Sequence, residues 1–375
     1  MYTQADIDEA VAAGAFTPEA AAGLRTHLEG RGQLPAVDEE QFRLLTGFND
    51  IFVSIAAAIL LFAVGWIGQS IGEAIDYTFD RGPSPLAGIF VAASAWGLAE
   101  FFTAKRRMAL PSILLLIAFS LGVLFAAGTT LVTLIGPDRF QDIGNNGNNQ
   151  VISSVVAAAA TAIAAIATWL HWRRFRVPIT IAVGAAAVVG LVISLVLSTL
   201  GVGDHGDVVL GLVLALGLGV FLFAMRWDSS DPARVTRRSD VAFWLHLLAA
   251  PMIVHSVFSL LGLTSGQANL GEVATVILLY VALAIVALAI DRRALLVSAL
   301  AYVLFAINQL FREFGAVELN VALTALVIGS ALLLLSAFWH QARTAVVQPL
   351  PDRLRSRLPL LNTTIPAVSQ GALPA

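Results

Sequence analysis

Apolar residues run in long blocks along most of this chain, and short polar interruptions separate them. As helices rising about 1.5 Å per residue, ten blocks are long enough to cross roughly 30 Å of hydrocarbon. They lie at 50–71, 85–104, 109–135, 151–171, 177–200, 207–225, 241–263, 271–290, 294–311 and 317–339. Glycine and proline recur inside them, which bilayer helices tolerate better than soluble ones. The segments 207–225 and 294–311 meet the length requirement least comfortably. The pattern predicts an all-α fold, a polytopic transmembrane bundle of about ten spans.

The interruptions alternate in chemistry. KRR at 105–107, HWRRFR at 171–176, RWDSSDPARVTRRSD at 226–240 and DRR at 291–293 are basic. GEAIDYTFDRG, GPDRFQDIGNNGNN, GVGDHGD, GLTSGQANLG and REFGAVE are acidic, amide-rich or glycine-rich. With the basic set inside, both termini are cytoplasmic, and of 22 Lys and Arg only Arg81, Arg139 and Arg312 fall outside. From Lys105 onward a basic turn, a helix, a polar turn and a helix recur four times. Side-chain identity does not repeat with them, so topology explains much of the rhythm. The short GVGDHGD connection makes the fifth and sixth helices expected antiparallel neighbours.

Composition agrees with a membrane class: 58% of residues are hydrophobic and 13% charged, with mean hydropathy +0.83. The net charge of −3 says little about partners, because the charges are segregated by location. Without cysteine there is no disulfide, thiolate metal site or cysteine nucleophile. The first apolar block begins near Ile51 behind a charged leader, so the first helix is expected to be an uncleaved insertion element.

The leader, 1–47, reads as a small cytoplasmic helical segment. Thr17 is placed to cap a helix with Pro18 at its first position and Gly30 as its stop. Asp38-Glu39-Glu40-Gln41 has the spacing of a second helix start, with Phe42, Leu44 and Leu45 on an apolar side. The tail, 341–375, carries Arg343, Arg353, Arg355 and Arg357 and is expected to be cytoplasmic and largely disordered.

Ionisable groups in hydrocarbon are expensive, so their placement is the main guide to a site. Glu100 lies one turn before Lys105 and Arg106 and is expected to pair with basic neighbours. His246 and His255 share the seventh helix but fall on opposite faces, about 13 Å apart along its axis. They cannot share a metal, and no other span offers a histidine at matching depth for haem. No metal site and no cofactor are expected. Pro251, between them, should kink the helix. Asn308 and Arg312 share a face of the ninth helix, with Gln309 and Glu313 on the next ridge. Gln69 and Glu73 lie near the outer end of the first helix, and Asn320 enters the tenth. By depth, Glu73, His255, Asn308, Gln309 and Arg312 form a candidate ligand or proton site in the outer half of the membrane.

Two function classes follow. One is a transporter-like protein with a polar cavity there, using His255 for protonation and Arg312 for an anionic group. The other is a membrane scaffold, sensor or assembly protein whose N-terminal helices bind a protein partner. HExxH, GxSxG and GxxxxGK[ST] are absent, no catalytic set is discernible, and an enzyme is the less favoured class. Nothing supports nucleic-acid binding. The lipid bilayer is the assured partner, and the oligomeric state is open.

The order DIDEAVAAGAFTPEAAAGLRTHLE, a brief linker, then FRLLTGFNDIFVSIAAAILLFAVGWI resembles a group of uncharacterised bacterial integral membrane proteins. These carry an N-terminal domain of unknown function. The likeness implies a bacterial inner-membrane, multi-pass protein and carries over no site residue.

Overall fold

The computed structural model describes residues 11–14, 16–24, 48–75, 82–136, 140, 147–200, 206–232, 234, 236–263, 270–313, 320–359 and 361. Within these, the side chains of 147, 148, 270, 294, 301, 305, 309–313 and 320 are not described. Two units are distinguished: 1–43 with 362–375, and 44–361. In the first, residues 18–24 are helical, and the Ala20 N–H donates to Thr17 Oγ1 at 3.1 Å, the expected cap. The expected second leader helix, Gly30 and the end of the tail lie outside the described residues.

The second unit is all helix among the described residues. Its elements are α1 (Phe48–Ile75), α2 (Pro85–Ala99), α3 (Ala109–Ile135), α4 (Gly147–Phe175), α5 (Ile179–Leu200) and α6 (Gly206–Asp228). They continue as α7 (Arg237–Leu260), α8 (Leu270–Ile290), α9 (Ala294–Glu313), α10 (Asn320–Ala337), α11 (Trp339–Val347) and α12 (Asp352–Arg355). The first eight, α2 together with its π-helical continuation to Lys105, are long and apolar enough to cross a membrane. The segment expected at 207–225 forms a full 23-residue helix, α6. The expected span at 317–339 differs: α10 ends at Ala337, and α11 turns away at 71°. Counted as one broken span, the pair is the ninth. No proline or glycine marks this break. Just past it Trp339 turns inward, where it is buried and donates from Nε1 to Asp291 at 2.7 Å.

The first part of the tail is helical. Trp339, Arg343 and Val347 of α11 are buried, and α11 packs against α8.

Packing follows the chain in hairpins. The four basic turns join α2 to α3, α4 to α5, α6 to α7 and α8 to α9, and these pairs have the most extensive contacts in their regions. At α2–α3 the backbones nearly touch, because Gly88 and Ala92 face Gly122 and Ala126. Small residues four apart on both helices permit that approach. The fifth and sixth helices, expected as close neighbours, touch only sparingly, and each packs more fully on α7. α7 is accordingly the most enclosed span, with 50% of its apolar stretch buried against 17% for α6. It remains one continuous helix through Pro251.

One backbone feature repeats where side chains do not. Among the described residues, each basic turn holds one non-glycine residue in the left-handed region: Arg107, Arg176, Arg234 and Asp291, with φ of 54, 53, 54 and 55°. Arg107, Arg176 and Asp291 stand at the end of a helix, where a left-handed residue stops it tightly and is usually glycine. In these three turns the residue that follows points inward. It is Met108 in the first turn, Val177 in the second and Arg292 in the fourth, all buried.

Candidate functional site

Among the described residues, most of the buried charge (Asp228, Asp231, Arg292 and Arg343) gathers at the basic end of α6 to α9, with Asp50 of α1 a separate buried carboxylate. On α6, Gly217, Val220, Ala224 and Asp228 recur at helical spacing and are buried, so the face that packs on α7 ends in a carboxylate. Asp228 is 1% exposed. Arg292, placed inward by the left-handed Asp291 before it, donates from Nη2 to Asp228 Oδ1 at 2.6 Å and from Nε to Oδ2 at 3.3 Å. His246 of α7, also buried, has Nε2 3.1 Å from Asp228 Oδ2. Facing an ionised carboxylate, Nε2 carries the proton, which leaves Nδ1 as an acceptor. Nδ1 has no hydrogen-bond partner among the described residues, and the Phe221 ring lies edge-on to the imidazole at 5.2 Å.

A second set adjoins the first through the chain itself, because Asp291 precedes Arg292. Asp291 accepts from Arg234 Nη1 at 2.8 Å and from the Trp339 indole, and Arg343 Nε lies at 3.7 Å. Arg234 Nη2 also donates to the carbonyls of Ile290 and Asp291, each at 3.1 Å, closing the C-terminus of α8. Arg293 lies over the Trp339 ring at 4.7 Å, and Arg343 Nη2 donates to the Pro359 carbonyl at 2.7 Å. In the α6–α7 turn, Asp231 accepts from both the N–H and the hydroxyl of Thr236, the N-cap of α7. The two sets therefore tie α6, α7, the α8–α9 turn and α11 together.

The chemistry of this arrangement is that of a charge-balanced clamp. A buried carboxylate and guanidinium are each costly alone and mutually satisfied when bidentate. For Asp291, burial is the largest single influence and raises its carboxyl. Arg234, Arg343, the Trp339 N–H and Arg292 together outweigh it and hold the group below the ordinary carboxylate value. A lowered folded value makes this contribution fully present above the unfolded pKa of about 3.9 and lost as pH falls through the folded value. Asp291→Asn is therefore expected to lower the melting temperature at neutral pH and to flatten the loss of stability on acidification below about pH 4. Thermal unfolding across a pH series checks this.

The expected outer-half residues are described only in part. His255 is exposed and pairs through Nδ1 with the Tyr302 hydroxyl of α9 at 2.6 Å, while His246 on the same helix is buried, as the opposite-face spacing required. Asn308 is half-buried on α9. The side chains of Gln309, Arg312, Glu313 and Asn320 lie outside the described residues. Glu73 accepts from Gln69 at 3.0 Å. Gln69 also accepts from the Ser84 N–H and donates to the Gly82 carbonyl, so it fastens the α1–α2 connection. α1 packs principally on α2 and α3, whereas α9 packs on α7, α8 and α10. The helices of Glu73 and Asn308 thus have separate packing neighbours. Glu100 pairs with Arg174 of α4, not with Lys105 or Arg106 beside it in sequence. Among the described residues, no group of three or more His, Asp or Glu is arranged to hold a metal.

The sequence reading passed over Asp228, Arg292, Asp291 and Arg234. The available signal was acid inside basic turns: a turn that needs only positive charge has no use for WD at 227–228 or for Asp291. Comparison with protein-family profiles, curated proteins and solved structures gave no significant match.

Proposed function

We propose that this chain is a bacterial inner-membrane protein of ten spans with both ends on the side of the basic turns. There it acts as a scaffold, sensor or assembly protein, with residues 1–47 as its partner-binding segment. The observation that carries this reading is the location of the buried charge. Asp228 is bonded by His246 and Arg292 at the end of the hairpins, where they join elements, whereas a conduit requires such groups along an interior path. The hairpin order of packing, with α7 as the shared neighbour, supports the same reading. The 20-residue α9 packed beside α10 supports counting both as spans.

A second reading, a transporter with its site in the outer half, is favoured by the His255–Tyr302 pair, a titratable group held within the spans. Reconstitution of the full chain into liposomes separates the two. The scaffold reading predicts proton and solute flux no greater than in protein-free vesicles, and a co-purifying protein that is lost when residues 1–47 are deleted. Flux that His255→Gln abolishes would establish the transporter instead.

A further inference from the structure

The two pairs of basic turns differ in how far they balance their charge. In the α6–α7 and α8–α9 turns, Arg234 and Arg292 are turned inward onto Asp291 and Asp228. Asp231 and Asp240 stand in the same turns, and Arg226, Arg237 and Arg238 stay exposed. The α2–α3 and α4–α5 turns contain Lys105, Arg106, Arg107, Arg173, Arg174 and Arg176, all exposed. One carboxylate, Glu100, stands among them. It is taken by Arg174 in a bidentate pair at 2.9 and 2.5 Å, which also ties the two turns together. No carboxylate among the described residues forms an ion pair with the other five. The inside-positive rule accounts for the presence of cations in both pairs of turns. It does not account for one pair supplying its own counter-anions and the other supplying almost none.

The exposed cations stand on apolar supports. Arg173 lies 4.9 Å over the ring of Trp169, and Arg106 lies 5.4 Å over the ring of Phe101. Both rings are themselves exposed, Trp169 by 52%. On α4, Ile166, Trp169, Leu170 and Arg173 recur at i, i+3, i+4 and i+7, so they share one outward face. That face is apolar for its first two turns and ends in a guanidinium, with an indole between. α2 opens into a π-helical turn at Glu100–Lys105, which carries Phe101 and leads into Arg106.

We propose that these two turns form a binding surface for anionic phospholipid, with acyl chain along Ile166, Trp169 and Leu170 and headgroup phosphate among Arg173, Arg106 and Arg176. Charge complementarity identifies the occupant: five exposed cations that form no ion pair with a carboxylate among the described residues meet an anion. The apolar approach beneath them identifies its source, because a soluble phosphate has nothing to place against Trp169 and Ile166. Aromatic rings with cations beyond them are the usual furniture of a headgroup boundary.

The test titrates the full chain in mild detergent with phosphatidylglycerol, phosphatidylcholine and glycerol phosphate in separate arms, with bound lipid read by native mass spectrometry. The expected result is retention of phosphatidylglycerol over the other two. In Arg106→Gln/Arg173→Gln/Arg176→Gln its affinity should fall on the order of a hundredfold, since each interfacial cation contributes several-fold. Arg353→Gln/Arg355→Gln/Arg357→Gln removes as many exposed cations from the tail and should leave affinity unchanged. Arg173→Gln alone, whose partner is the Trp169 ring, serves if the triple variant does not fold and should weaken binding several-fold. Equal binding of phosphatidylcholine, equal losses in both triple variants, or competition by glycerol phosphate would overturn the assignment.

Discussion

Arg292→Met is expected to destabilise the folded chain by about 3–5 kcal/mol, the cost of breaking a buried ion pair by removing one partner. Arg292 is 3% exposed and donates one hydrogen bond to each oxygen of Asp228, besides one to the Ser239 carbonyl at 3.2 Å. Methionine fills much of the same volume but returns no donor. Asp228 would keep only the His246 N–H, and a desolvated carboxylate with one neutral donor is poorly compensated. The effect should be local as well as global. Hydrogen exchange should rise at the ends of α6 and α8, whose union depends on this residue, and remain unchanged in α2 and α3. Thermal unfolding in mild detergent, followed by tryptophan fluorescence, measures the global part.

Gly88→Val carries the second large effect, in the other half of the protein. A Cβ on Gly88 would lie 2.6 Å from both the Ala126 nitrogen and the Gly122 oxygen, and 3.0 Å from the Ala126 Cα. All three are backbone atoms, so no rotamer change relieves the overlap. The helices must separate, and the packing of Ala92 and Ala95 on Leu115 and Phe119 goes with them. A loss of about 3 kcal/mol is expected, at the upper end for overpacking. Gly97→Val, on the same helix with open space at its Cβ, should cost far less and serves as the control. The same unfolding measurement compares the two.

Much of the fold was legible because hydrocarbon imposes a length and a polarity that a chain cannot disguise. The helices α1 to α8 follow the apolar blocks, and the four basic interruptions mark the hairpin turns. Local spacing was equally readable. Gln69 and Glu73, four apart, do bond, and His246 and His255 do face opposite ways. Tertiary choices were not readable. The bend after Ala337 has no proline or glycine to announce it, and the Trp339 indole beside it meets Asp291 from 48 residues away. The pairing of Asp228 with Arg292 spans 64 residues, and nothing in either neighbourhood names the other. Helix depth could group polar residues by level, as it grouped His255 with Asn308, but not by side. His255 found Tyr302, a residue whose hydroxyl is invisible to a search for charges.

The left-handed residues sharpen this contrast. Glycine at such a position would be a readable stop signal. Here arginine and aspartate occupy it, at a backbone cost on the order of 1 kcal/mol each. At Asp291 the left-handed turn directs Arg292 inward and leaves the Asp291 carboxylate beside Arg234, so one strained residue helps to form both halves of the clamp.

The clamp is tested most directly by a double-mutant cycle on Asp228 and Arg292, using Asp228→Asn, Arg292→Met and the pair together, with unfolding free energy as the readout. If the two residues hold α6 to the α8–α9 turn through each other, the double variant recovers much of what either single change loses, with a coupling of about 2 kcal/mol or more. Losses that simply add would contradict it, because each residue would then be acting through other partners.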